Sequence, residues 1–394
     1  MIELTFPITD EDFFSQENIE NPYPAYQRLR QMGPVVGLGQ AGVVAVSHYE
    51  TVKALLSDNQ TWVSGQGVAL NDFSNNILRG TTLASDPPLH RTLRVVVASQ
   101  LTPQGLRPRE GGILNIAERI VANALDAGDI DGVTSIAHEM PQQIIPDFVG
   151  LPHHGRDRLF EWSGAGLDGL GPDNERTERN HELSLEQFTY AQGIVESNDV
   201  LPGSLGAGVI AAAAEGKISP EQRTALFLDY LGPALDTTSS ALGHFLVILA
   251  RRPDVWKTLK EDRSLVNAFI AEGLRFESPA RGFTRVASKD TEVGGVVIPA
   301  GTRAWALVAS ANRDEKHWED SDSFKLERDA TGHVAFGYGI HGCAGQNLAK
   351  LELKAVLNEL LSQVAQIELT GEPTKLLNNM LNAWSSIPLR LTAA

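Results

Sequence analysis

The chain has 394 residues, 42% of them hydrophobic, which is enough for a large core, and its single cysteine excludes an internal disulfide and any four-cysteine zinc or iron–sulfur site. The net charge of −16, from 33 basic and 49 acidic residues with no basic stripe, argues against a nucleic-acid partner. The amino terminus MIELTFPITDEDFF has no basic n-region, and the longest apolar run, 225–250, is interrupted by Asp229 and Asp236, so neither a signal peptide nor a membrane span is expected and the predicted location is cytoplasmic.

In chain order, helical periodicity predicts helices over 23–32, 48–57, 88–100, 111–127, 136–149, 156–168, 180–198, 220–251, 253–261, 265–276 and 344–362. Shorter strand-like pieces fall at 34–38, 42–46, 292–298, 302–308 and 386–392. Gly294-Gly295 reads as the turn of a hairpin. Residues 62–82 show no clear period, which for a loop this long points to function or disorder. The expected fold is mainly α with a small β-sheet portion. With no linker, charge block or repeat, residues 1–394 read as one domain.

Two segments carry chemistry. The first is Phe336-Gly337-Tyr338-Gly339-Ile340-His341-Gly342-Cys343-Ala344-Gly345, directly before a helix. A lone thiolate at a helix N-terminus suits a metal that brings its other ligands, and haem leaves one axial position for the protein. The spaced glycines let the backbone lie flat against a large planar group. The second is ALFLDYLGPALDTTSSALGHFLVILA, residues 225–250. A buried acid at Asp236 and a Gly232-Pro233 break within an apolar helix both cost stability, which suggests a site. Pro233 has no N–H, so the carbonyl of Asp229 loses its helical donor. The plainer reading has Thr237 and Thr238 bonding back to the preceding turn while Asp236 pairs with a distant arginine.

The cysteine segment matches the FGxGxHxCxGxxLA signature at every fixed position and so resembles the cytochrome P-450 family of haem-thiolate monooxygenases. The resemblance extends from Asn21-Pro22-Tyr23-Pro24 to Ser386-Ile387-Pro388. It implies that haem b lies between the distal helix (220–251) and the cysteine-loop helix (344–362), with the Cys343 thiolate as axial ligand. Phe336, Gly337, Ala344 and Gly345 would then border the cofactor. Pro233-Ala234-Leu235-Asp236-Thr237-Thr238 fills the family's [AG]Gx[DE]T[TS] frame, so Asp236 and Thr237 match the acid–alcohol pair that delivers protons to dioxygen. Pro233 and Ala234 depart from the usual small residues there. Asp86-Pro87-Pro88-Leu89-His90 through Arg94, taken alone, reads as a solvated helix face; the resemblance assigns His90, Arg94, Arg285 and His341 to the haem carboxylates, with His333 a weaker candidate. Glu272 and Arg275, read alone as a surface i,i+3 salt bridge, match the family's buried ExxR element, and Arg328 fits the third member of its network.

The resemblance further implies insertion of one oxygen atom into a C–H bond, as hydroxylation or O-demethylation. Electrons are expected from a separate iron–sulfur ferredoxin and its NAD(P)H-dependent reductase, because nothing follows Ala394. Arg91, Lys350 and Lys354 are candidates for its docking patch. Candidate pocket residues are Val68, Leu70, Phe73, Asp229, Ala234, Phe283 and Trp384. The segments GVALNDF and GPALDTT resemble those of family members that oxidise small aromatic ethers and aromatic acids. Residues 62–78 hold no Lys or Arg, and Asp229 would repel a carboxylate but accept a hydrogen bond from a phenol or amine. A neutral or phenolic aromatic is therefore expected, with terpenes and other small hydrocarbons open. The alternatives are a peroxide-driven peroxygenase and a non-catalytic haem sensor or electron carrier.

Overall fold

The computed structural model describes residues 6–394; the first part of the acidic amino terminus lies outside them. Helices dominate. The Asp236–Arg251 helix runs through the core, buried on nearly every face: its first turn and a half is small and polar, and most of the rest, from Ala241, is apolar. It packs on the Val266–Phe276 helix and on the Gln346–Gln363 helix. The largest apolar cluster gathers Phe245, Phe269, Leu353 and Leu357 from these three helices.

A six-stranded mixed sheet flanks the helices, in the order Ile8–Thr9, Val36–Leu38, Val43–Val46, Arg303–Ala306, Phe283–Ala287 and Trp62–Val63. Val43–Val46 runs parallel to Arg303–Ala306, which pairs antiparallel with Phe283–Ala287. A second sheet joins Val364–Leu369, Pro388–Ala393 and Asp129–Asp131. The predicted hairpin forms between Thr291–Val293 and Val296–Ile298. Gly294 (φ 56°) and Gly295 (φ 85°) supply the two left-handed positions that its turn requires.

The predicted helix over 220–251 is two helices, Gln222–Leu231 and Asp236–Arg251. The last regular rung is Gly232 N–H to the Leu228 carbonyl, at 3.0 Å. Pro233 cannot donate the next one. The ladder resumes with Ser239 N–H to the Leu235 carbonyl, at 3.1 Å. The break falls where Pro233 was expected to kink the chain.

Several elements lie outside the predicted set. Leu205–Ala214 (LGAGVIAAAA) is a helix capped by Ser204, and its almost unbroken apolar composition shows no period. Asp72–Ile77, within the aperiodic 62–82 segment, is a short helix capped by Asn71. The strand Phe283–Ala287 is buried along most of its length, so it does not alternate.

Candidate active site

The cysteine loop is shaped by its backbone. Gly337 and Gly339 hold φ of 71° and 70°, and a Cβ at Gly339 would stand 2.3 Å from the Leu56 carbonyl oxygen. Cys343 N–H donates to the Phe336 carbonyl at 2.8 Å and closes the loop. The thiol sits just before the Gln346–Gln363 helix, and the amides of Gly345 and Gln346 donate to Sγ. Burial raises the thiol pKa, while these amides and Arg94 pull the other way. Phe336, Gly337, Cys343, Ala344 and Gly345 all line a cavity of about 330 Å³.

At the edge of that cavity the structure gathers His90, Arg94, Arg285 and His341. The two imidazoles lie with centroids 4.3 Å apart. His341 Nε2 is 3.1 Å from Ser64 Oγ, whereas His90 Nε2 is buried with no partner. Arg94 donates to the Gly342 carbonyl, and Arg285 Nη1 donates to the Thr284 carbonyl at 2.7 Å. Asp86 is the acid acting on Arg285, yet both its oxygens already accept from the amides of Ser64 and Gly65. Burial and the neighbouring cations push His341 down to about 2 and Arg285, through burial, down to about 10. Two arginines, one buried and one half-buried, beside two imidazoles with so little negative charge suit anions supplied by a ligand. His333 instead accepts from Ala335 N–H at 3.1 Å.

Opposite the thiol lies the helix break. Ala234 and Thr237 line the cavity. Thr237 Oγ1 donates to the Pro233 carbonyl at 2.8 Å, the back-bond of the plainer reading. Asp236 has no arginine partner. Its Oδ2 is enclosed and unpaired, and burial raises its pKa to about 7 although the Ser163 hydroxyl pulls the other way. It faces the other way, into a separate polar cavity of about 20 Å³, room for a single water, beside His138, Ser239 and Trp384. Acid and alcohol therefore stand on opposite sides of one helical turn.

Beneath the site, Arg275 and Glu272 are fully buried and bidentate, at 2.6 and 2.8 Å. Arg328 Nε donates to the same carboxylate at 3.2 Å. Arg275 also donates to the carbonyls of Asn312 and Ser321, both at 2.8 Å, so its charge is satisfied. Glu352 was not anticipated from sequence. It lines the cavity on the Gln346–Gln363 helix, with Oε1 unpaired, and burial raises its pKa to about 8. The available signal was an acid between Leu348 and Val356 on the apolar stripe of that helix.

Of the expected pocket residues, Asp229, Ala234 and Phe283 line the cavity. The structure puts the other four elsewhere. Val68 is buried in the wall, its amide bonded to Asn75 Oδ1 at 2.8 Å. Leu70 belongs to the core beside the main sheet, and Phe73 stacks on His181 at 3.7 Å. Trp384 borders the small cavity and donates to His244 Nδ1 at 3.0 Å. Asp229 already accepts from the Thr82 amide at 2.8 Å, and burial raises its pKa to about 6. Arg91, Lys350 and Lys354 are exposed.

A thiol on one face, a broken helix on the other and unpaired cations at the rim fit a planar macrocycle bearing two carboxylates. That is the site of a haem-thiolate oxygenase. A family model for cytochrome P-450 matches residues 204–381. The chain is 34% identical to cytochrome P-450 CYP199A2 of Rhodopseudomonas palustris, over 97% of this chain and 94% of that one. The solved structure of cytochrome P-450 CREJ with (4-ethylphenyl) dihydrogen phosphate superposes with a TM-score of 0.87 at 27% identity, covering 95% of this chain and 98% of that one. CYP109E1 from Bacillus megaterium, solved with testosterone, gives 0.86 at 26% identity, covering 95% and 99%. The chain belongs to the cytochrome P-450 family. It is an oxidoreductase whose cofactor is haem b with a cysteine thiolate ligand, and Cys343 is its single cysteine. Among the described residues no helix is long and apolar enough to cross a membrane.

Proposed function

We propose that this enzyme hydroxylates or O-demethylates a small aromatic substrate, with electrons from a separate ferredoxin and its NAD(P)H-dependent reductase. In this reading residues 1–394 act as one domain, Cys343 holds the iron, and His90, Arg94, Arg285 and His341 hold the haem carboxylates. The bound haem supplies the chemistry of dioxygen reduction, in which R–H, O2, two electrons and two protons give R–OH and water. Where the oxidised carbon is an ether methyl, the hemiacetal collapses to a phenol and formaldehyde.

The observation that carries the proposal is that the acid–alcohol pair just after the helix break lines two separate cavities. Thr237, its hydroxyl donating to the Pro233 carbonyl, lines the large one, and Asp236 lines the small one, which is polar and water-sized. A carboxyl with a pKa of about 7 both takes and gives a proton near neutrality. Reduction of dioxygen consumes protons; a peroxide-driven reaction has no such need for a relay. The apolar cavity wall, including Leu167, Ala234 and Phe283, suits an aromatic ring. The aryl phosphate in the CREJ structure supports that class. The exposed Arg91, Lys350 and Lys354 suit an acidic ferredoxin.

The test is turnover of a para-methoxyphenyl compound by the holoenzyme. Formaldehyde should form with ferredoxin, reductase and NADPH under air, and far more slowly with hydrogen peroxide alone. Efficient peroxide-driven turnover with no response to ferredoxin would establish the peroxygenase instead.

A further inference from the structure

The helix His181–Ser197 buries one stripe: Ser184, Gln187, Ala191, Ile194 and Val195. The spacing is that of a core-facing face, yet its first two positions are polar. Ala191, Ile194 and Val195 pack into the main apolar cluster. Ser184 and Gln187 instead line the large cavity, one turn apart. Gln187 is only 6% exposed, and its Nε2 is enclosed with no hydrogen-bond partner. Across from it stands Gly166, also in the cavity wall, where an added Cβ would come within 3.4 Å of Gln187 Oε1.

A buried carboxamide nitrogen without a partner is the exception in folded proteins, and this one belongs to a side chain that lines a ligand cavity. Resting on the functional reading above, we propose that Gln187 and Ser184 form the subsite for the polar end of the substrate. The recognised group is uncharged: a ketone, amide or hydroxyl. A carboxamide and a hydroxyl each offer a donor and an acceptor, so they satisfy a neutral polar group without a counter-charge. Asp229, another wall residue, disfavours an anion. The cations lining the cavity, Arg94 and Arg285, belong to the cluster assigned to the haem carboxylates. The rest of the substrate then lies along the apolar wall formed by Leu167, Leu170, Phe283 and Ala234.

The experiment is an optical titration of the ferric holoprotein with three ligands of nearly equal size: para-methoxyacetophenone, para-isopropenylanisole and para-methoxybenzoate. The alkene replaces the ketone oxygen with a methylene group, so the pair isolates one hydrogen-bond acceptor. The wild type should bind the ketone roughly tenfold tighter than the alkene, about 1.4 kcal/mol, and the benzoate weakest. Gln187→Leu should bring the ketone down to the alkene's affinity and leave the alkene unchanged. Ser184→Ala should reduce the difference in part. The carbon monoxide difference spectrum of each variant reports an intact thiolate-ligated haem. Equal binding of ketone and alkene by the wild type overturns the subsite while leaving the small-aromatic reading in place. So does a preference that survives Gln187→Leu, or tightest binding of the benzoate. If none of the three ligands shifts the Soret band, the aromatic reading and the subsite fall together.

Discussion

A buried carboxyl whose only neighbouring donor is a neutral hydroxyl keeps its proton until the solution is alkaline enough to overcome desolvation. Burial sets Asp236 at about 7, so its protonated fraction falls through neutrality. Ferredoxin-supported turnover should therefore decline above about pH 7 in the wild type. Asp236→Asn keeps the shape but cannot relay a proton. It should lower that turnover by about 100-fold and flatten its alkaline limb, as a steady-state pH profile would show. An unchanged rate would remove Asp236 from the relay. At this scale the sequence was legible where a motif was long. Cys343 and its glycines point to a single-ligand metal site without outside help. His90 and Arg94 read alone as a solvated face, and only the family frame singled them out. Glu352 went unnoticed because a lone acid in a helix is ordinary until its neighbours are seen to be buried. Phe73 and Trp384 were misplaced because aromatic side chains pack equally well on other rings, here His181 and His244.

The helix break is the element on which the site turns. Pro233 leaves the Asp229 carbonyl without its helical donor, and it does so by covalent structure rather than by flexibility. Pro233→Ala restores that N–H and lets the Gln222–Leu231 helix propagate toward Asp236. Removing an interior proline should raise stability by about 1–3 kcal/mol and the melting temperature by a few degrees. The same change should misalign Thr237, whose hydroxyl bonds to the residue 233 carbonyl. Less product should then form per NADPH consumed, with more hydrogen peroxide released. Parallel melting and product-yield assays separate the two effects, and a variant unaltered in both would show that the break does not depend on Pro233. The break was readable because proline acts locally. The Ala-rich helix Leu205–Ala214 and the buried strand Phe283–Ala287 were not, because a fully apolar segment carries no period and its state is decided by tertiary packing.

Across the whole molecule, unusual carboxyls of opposite kind shape stability against pH. Burial raises Glu352 to about 8, Asp236 to about 7 and Asp229 to about 6. In each the folded state holds a proton that the unfolded chain releases near pH 4. Stability from these groups is complete below the unfolded value and is lost as pH rises through the folded one. Asp314 is the reverse: burial opposes its charge, but bonds from His48 and from the amides of Tyr49 and Lys316 hold it at about 2. Its contribution is present above pH 4 and is lost as pH falls toward 2. Together they predict a stability maximum on the acid side of neutrality. The alkaline fall from Glu352 alone is on the order of a few kcal/mol between about pH 5 and 8. Glu352→Gln has nothing to ionise there, so its stability should fall less steeply over that range. Denaturant midpoints of the holoprotein at pH 5, 6.5 and 8 measure this directly. Curves for wild type and variant that run parallel would mean that Glu352 is ionised in the folded enzyme, with a counter-charge the buried carboxyl must then have found.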